Sequence, residues 1–118
     1  MATVEITGGG FQDSESLALA TGIVYFSLSA DSTDSETGTQ QICSGQRISF
    51  TLDDDGNVPS GSYLWPNDLL ISNVTGLADT FYWMSAEDEN GQTVYGPNAV
   101  LILSTASDLS DLVPGNPE

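Results

Sequence analysis

The stretch FYWMSAEDENGQTVYGP, residues 81–97, constrains the fold of this 118-residue chain more than any other. An apolar run at 81–86 is followed by acidic and polar residues at 87–91 and by a β-prone run at 93–95. Asn-Gly between two such runs is a strong hairpin signal, because both residues tolerate the positive φ of a tight turn. The stretch therefore predicts a β-hairpin at the aromatic centre of the chain.

Several other segments alternate between apolar and polar residues with the period of a β-strand, notably 3–7, 23–29 and 47–52. About seven short strands separated by turn residues, with no long helical period, predict an all-β fold, a single β-sandwich. One side of each strand should face the core. For the two clearest strands, the residues predicted to point inward are Val24, Phe26, Leu28, Ile48, Phe50 and Leu52.

The polar composition of residues 31–45 predicts an exposed, mobile loop of unusual length. After residue 105 the strand pattern ends, and 106–118 has a weak helical spacing and a Pro- and Gly-containing close. We therefore predict a sandwich domain over 1–105 and a C-terminal tail or docking arm over 106–118.

The charge of the chain is strongly one-sided. Seventeen acidic residues face a single basic one, Arg47, and the net charge is −16. Binding to nucleic acid or to an anionic membrane requires clustered basic residues, so both are excluded as partners. The same charge favours a basic partner, bound cations or a high-salt environment.

The remaining sequence signals concern redox state and targeting. Cys43 is the only cysteine, so the chain has no internal disulfide and no cysteine-based zinc site. Residues 1–7 lack the basic and apolar regions of a signal peptide, and no run approaches the ~18 apolar residues of a membrane span. We therefore expect a soluble product made in the cytoplasm.

Two acidic clusters raise the question of a cation site. Asp53-x-Asp55-x-Asn57 has the alternating oxygen ligands that open a calcium loop, but Val58 and Leu64 stand where that loop needs glycine and glutamate. The alternative interpretation is a simple turn.

Glu87 begins the second acidic cluster, Glu87-Asp88-Glu89, and could share an ion with another loop. The candidate metal set is Asp53, Asp55 and Glu87, with Ca²⁺ as the cation; solvated turns are the alternative. Histidine is absent and no nucleophile–base pair is recognisable, so we predict that the protein is not an enzyme.

Two segments are candidates for contact with a partner. Trp65-Pro66-Asn67-Asp68 places an aromatic beside a proline in an irregular stretch, which either anchors a partner or caps the core. The tail carries scattered apolar residues that could tether the domain to a neighbour. The predicted partner-binding residues are Trp65, Asn67, Asp68, Leu109, Leu112 and Val113.

The order of these features is similar to a known family. The matching pieces are the strand at 24–28, the segment 48–59, Trp65-Pro66-Asn67-Asp68, Phe81-Tyr82-Trp83, and the turn and strand at 88–97. Together they resemble the small immunoglobulin-like or transthyretin-like β-sandwich domains of tailed-bacteriophage virion proteins, over about residues 3–103.

The resemblance implies a non-enzymatic structural role in a virion, most concretely as a capsid decoration or accessory protein. Its partner would be the major capsid protein or another virion protein, and homo-oligomers are an alternative. The competing hypothesis is a carbohydrate- or host-surface-binding module of a tail or fibre. That module would use residues 63–65 and the loop at 31–45.

Overall fold

The computed structural model describes residues 3–12, 17–36, 38–39, 41–45, 47–105, 107–109 and 113–114. Its regular elements are short strands and one 3-10 turn, Asn67–Leu69. The strands are β1 (Val4–Glu5), β2 (Ile23–Leu28), β3 (Ser32–Asp34), β4 (Gln41–Ile42), β5 (Ile48–Thr51), β6 (Tyr63–Leu64), β7 (Leu70–Ser72), β8 (Tyr82–Glu87), β9 (Thr93–Leu101) and β10 (Val113–Pro114).

The strands form three antiparallel sheets, which confirms the predicted all-β class. The main sheet has the order β10-β9-β8-β2-β5, and the smaller sheets have the orders β4-β3-β7 and β1-β6. Buried side chains from the main sheet meet those of the smaller sheets, such as Leu64 and Leu70, in one core. This arrangement is that of a β-sandwich. In the described part of the chain, no helix is long and apolar enough to cross a membrane.

Strand β2 lies at the centre of the core, as its alternation predicted. Val24 and Phe26 are completely buried and Leu28 is 8% exposed. The Phe26 ring meets Phe50 and Tyr82 edge to face, with centroids 6.1 and 5.9 Å apart. Burying an aromatic or large aliphatic side chain contributes about 1.5–3 kcal/mol, so this cluster stabilises the stacking of the sheets.

Strand β5 departs from its predicted burial. Leu52 is buried and Phe50 is half-buried, but Ile48 is 43% exposed. Ile48 is paired with the buried Phe26 and so lies on the predicted inward side of β5, but it is not buried. Its side chain points to the core side of the sheet, but β5 is the outermost strand, so no further strand covers it.

The predicted hairpin joins β8 to β9, but its turn differs from the expected one. The Gly91 N–H donates to the Asp88 carbonyl at 3.0 Å, and the Asp88 N–H donates to the Gln92 carbonyl at 2.9 Å. Only Gly91 has positive φ, 82°, whereas Asn90 does not. This is a three-residue loop in which a type I turn is followed by a glycine bulge. The Asp88 carboxylate selects it by accepting the N–H groups of Asn90 and Gln92.

The described residues of the segment 31–45 include β3 and β4, so part of the predicted loop is regular sheet. Strand β3 pairs with β7 on one side and with β4 on the other. Ser32 and Asp34 are buried, and both are hydrogen-bonded: the Ser32 hydroxyl donates to the Ala30 carbonyl, and Asp34 accepts from the Thr39 N–H. Burying a polar residue costs little free energy only when it has such hydrogen-bond partners. The composition of the segment did not reveal that these partners exist.

The described part of the C-terminal segment packs on the sandwich itself. The Leu109 N–H donates to the Thr7 carbonyl at 2.7 Å, and β10 pairs with β9, with Val113 opposite Leu101. Leu109 is 7% exposed and belongs to the core. It therefore does not act as a tether, which corrects the prediction for this residue. Leu112 lies outside the described residues, and only the backbone of Val113 is described.

Candidate interaction surface

Asn67 was predicted to contact a partner, but it is buried and forms hydrogen bonds within the chain. It is 2% exposed, and its backbone N–H donates to the Ile102 carbonyl at 2.6 Å. Its side-chain Oδ1 accepts the Ile102 N–H at 2.9 Å, while Nδ2 donates to the Thr80 hydroxyl at 3.1 Å. The amide thus satisfies buried polar groups that would otherwise lack a partner. Its side chain is not available to another molecule.

The neighbouring residues Trp65 and Asp68 also make contacts within the chain. Trp65 is half-buried against the core, and its carbonyl accepts the Tyr82 hydroxyl at 2.8 Å. Burial raises the pKa of that phenol well above its usual value. Asp68 is exposed, but its carboxylate accepts the N–H and the hydroxyl of Ser104 at 3.0 and 2.6 Å. The segment therefore fastens the 3-10 turn to the chain just after β9.

The carboxylate of Asp53 is turned into its own loop rather than toward a cation. Its Oδ1 accepts the N–H groups of Asp55 and Asn57 at 2.9 and 3.0 Å. The backbone closes the loop, because the Asp53 N–H donates to the Asn57 carbonyl at 2.9 Å. These are the bonds that Asp88 makes in the hairpin, so the two turns share one geometry. The repeated spacing Asp-x-x-Gly is the sequence signal that could have revealed it.

Glu87, the third predicted metal ligand, lies in a strand and not in a turn. Its Oε1 accepts the Tyr25 hydroxyl at 3.0 Å. Among the described residues, no three Asp, Glu or Cys side chains come together so that they could hold a metal ion. The predicted calcium set, Asp53, Asp55 and Glu87, is therefore not assembled by the fold.

The surface with the most distinctive character is the side of the main sheet that faces away from the core, here called the outer face. Because side chains alternate along a strand, the neighbours of the buried residues of β2, β5 and β8 lie on it. Trp83, near one end of the face, is 39% exposed and stacks edge to face on Phe81 at 5.2 Å. The other members from these three strands are Ile23, Tyr25, Ser27, Ser49, Thr51, Ser85 and Glu87.

Tyr25 contacts two oppositely charged side chains on the outer face. The Arg47 guanidinium lies over the Tyr25 ring, 4.0 Å from its centroid, and the Tyr25 hydroxyl donates to Glu87. That hydrogen bond to a carboxylate, with some desolvation, raises the pKa of the Tyr25 phenol, and nearby Arg47 opposes the shift. The only basic residue of the chain is thus held on this face.

The acidic residues of the described chain lie almost entirely elsewhere. Glu87 is the only one within a strand of the main sheet. The others lie in turns and loops or in the smaller sheets, as with the groups at 53–55 and 88–89. Among the described residues, Glu87 and Arg47 are therefore the charged groups on the outer face, although the net charge of the molecule is −16. The amino-acid sequence does not reveal this surface, because alternation along a strand leaves open which side of the sheet remains uncovered.

Comparison of the chain with protein-family models, with characterised proteins and with solved structures gave no match. The resemblance to phage immunoglobulin-like or transthyretin-like domains therefore stays a prediction.

Proposed function

We propose that this protein is a non-enzymatic structural component of a virion, a capsid decoration or accessory protein. It attaches to a neighbouring virion protein through the outer face. The observation that carries the proposal is an exposed tryptophan, Trp83, stacked on the half-buried Phe81, on a sheet surface with few charges in a strongly acidic molecule.

The physical reason is the cost of desolvating charge. A protein that docks through carboxylates must strip water from them or supply a matching base for each, whereas serine, threonine and aromatic side chains desolvate more cheaply. Interfaces are enriched in aromatic residues and arginine and depleted of acidic residues at their centres. The outer face has this composition, with Trp83 as the aromatic anchor and Arg47 already stacked on Tyr25. The acidic ends would remain in solvent and keep the assembly soluble.

The test is the occupancy of the protein on purified virions of the phage whose genome encodes it. Trp83→Ser removes the anchor, and truncation of an aromatic that anchors an interface typically costs about 2 kcal/mol, or roughly 30-fold in affinity. The matched control is Val74→Ser, because Val74 is 82% exposed in the turn after β7 and lies outside the main sheet. We expect Trp83→Ser to lose occupancy and Val74→Ser to keep it.

Two results would refute the proposal. One is absence of the wild-type chain from the particles, and the other is equal occupancy of the two variants.

The competing hypothesis is carbohydrate recognition through residues 63–65. In that segment Tyr63 is the aromatic that is open to solvent, at 53% exposure. Binding on a glycan array that is abolished by Tyr63→Ala or Trp83→Ser, without particle binding, would favour that hypothesis instead.

A further inference from the structure

The open edge of the main sheet at β5 is a second candidate surface. It is formed by backbone groups, including those of Ser49 and Thr51, whereas these residues contribute only their side chains to the outer face. β5 pairs with β2 on one side and is the last strand of the sheet on the other. Ile48, Ser49 and Thr51 are exposed and Phe50 is half-buried, so nothing in the described chain covers this strand. An uncovered edge presents backbone groups that can pair with another strand.

The register shows which backbone groups face outward. The Leu52 N–H donates to the Gly22 carbonyl at 2.7 Å, so Leu52 forms a hydrogen-bonded pair with the residue before β2. In an antiparallel ladder such pairs alternate with pairs that exchange no bonds. Ser49 and Thr51 therefore direct their N–H and C=O groups away from β2. On the same side, the Asp53 N–H already donates to Asn57, so the open edge ends at Thr51.

The side chains of β5 do not protect this edge. Natural edge strands usually carry lysine, proline or an inward-pointing charge that discourages pairing, and Ile48–Thr51 contains none of these. Arg47 precedes the strand, but its guanidinium is held over the Tyr25 ring. Ile48 and Phe50 lie on the core side of the edge, where an added strand would extend the core and cover the exposed part of Ile48.

We propose that the β5 edge binds an extended segment of a partner protein by strand addition. The segment has alternating apolar and polar residues, with basic residues where it passes the exposed acidic turn at 53–55. Backbone hydrogen bonds would supply the affinity, and the alternate side chains the specificity. Charge complementarity selects a basic segment because the chain carries −16 and this turn lies directly beyond the edge. The same charge opposes a second copy of this chain as the occupant. The inference does not depend on a virion role.

The experiment selects binders from a library of random ten-residue peptides on the immobilised full-length protein. We expect enrichment of peptides that alternate apolar and polar residues and carry lysine or arginine at one end. Ser49→Pro should reduce their affinity at least tenfold, because proline removes an outward N–H and places its ring at the edge. Ser49→Thr, which keeps the N–H, is the matched control. Asp54→Asn with Asp55→Asn should weaken the basic peptides roughly threefold at low salt.

A second measurement does not require the proline variant to fold. In the wild-type protein, saturating amounts of a selected peptide should slow amide hydrogen exchange at Ser49 and Thr51. Failure to enrich any peptide, peptides that bind a folded Ser49→Pro variant equally well, or protection confined to another strand would each overturn the proposal. So would a wild-type dimer in sedimentation equilibrium that Ser49→Pro dissociates, because a second copy would then occupy the edge.

Discussion

Replacing Asn67 with alanine tests whether one buried amide holds the 3-10 turn against the chain beyond β9. The change leaves the Ile102 N–H buried without its acceptor and removes the bond to the Thr80 hydroxyl. An orphaned buried donor costs about 1–3 kcal/mol and a lost internal hydrogen bond about 1 kcal/mol. We therefore expect Asn67→Ala to lower the free energy of unfolding by about 2–4 kcal/mol, a large fraction of the total for a domain of this size.

The assay is urea unfolding followed by tryptophan fluorescence, with the slope of the transition compared between variants. Asn73→Ala is the matched control. The Asn73 amide also makes two side-chain bonds, accepting from Thr33 at 2.8 Å and donating to Gln41 at 3.2 Å, but all three residues are at or near the surface. Water replaces such bonds, so its cost should stay within about 0.5 kcal/mol. Equal losses for the two variants, or a loss under about 0.5 kcal/mol for Asn67→Ala, would show that the buried amide does not hold the 3-10 turn in place.

Three further predictions address the C-terminal segment, the acidic loop and the cation question. Leu109→Ala should cost about 2–4 kcal/mol in urea unfolding because the side chain is in the core, whereas a solvated tether residue would cost almost nothing. Hydrogen bonds from the Ser44 N–H and hydroxyl lower the pKa of Asp31. Ionised Asp31 therefore stabilises the fold at pH values above its unfolded pKa. This contribution is lost as the pH falls through its folded pKa. Ser44→Ala should raise the Asp31 pKa in a carboxyl NMR titration, and an unchanged value would contradict the assignment. Calcium should raise the melting temperature no more than magnesium does at equal concentration. Both ions screen the net charge, and no set of metal ligands converges in the described chain. A larger increase with calcium than with magnesium would contradict this prediction.

Local patterns in the sequence were sufficient for the all-β class and for the position of the hairpin. Val24, Phe26 and Leu28 alternate with polar residues, and alternation alone places them on one side of a strand. The hairpin at 82–101 follows from turn chemistry within a few residues. Its exact form was missed because the Asp88 side chain, not the Asn-Gly pair, selects the turn.

The surroundings of the predicted partner-binding residues could not be predicted in the same way, because they depend on contacts between residues that are distant in sequence. Asn67 and Asp68 are bonded to Ile102 and Ser104, which lie 35 and 36 positions away. A polar residue near an aromatic has the same sequence signature whether it faces a partner or a buried N–H.

Strand formation, the side chains that share a side of each strand and the strongly acidic charge all follow from the order of amino acids. Tertiary packing sets which strand is outermost, which side of the main sheet remains open, and that Leu109 joins the core. The two differ because alternation with period two is a property of one strand. Coverage of a sheet is a property of what packs against it, and that includes segments from the far end of the chain.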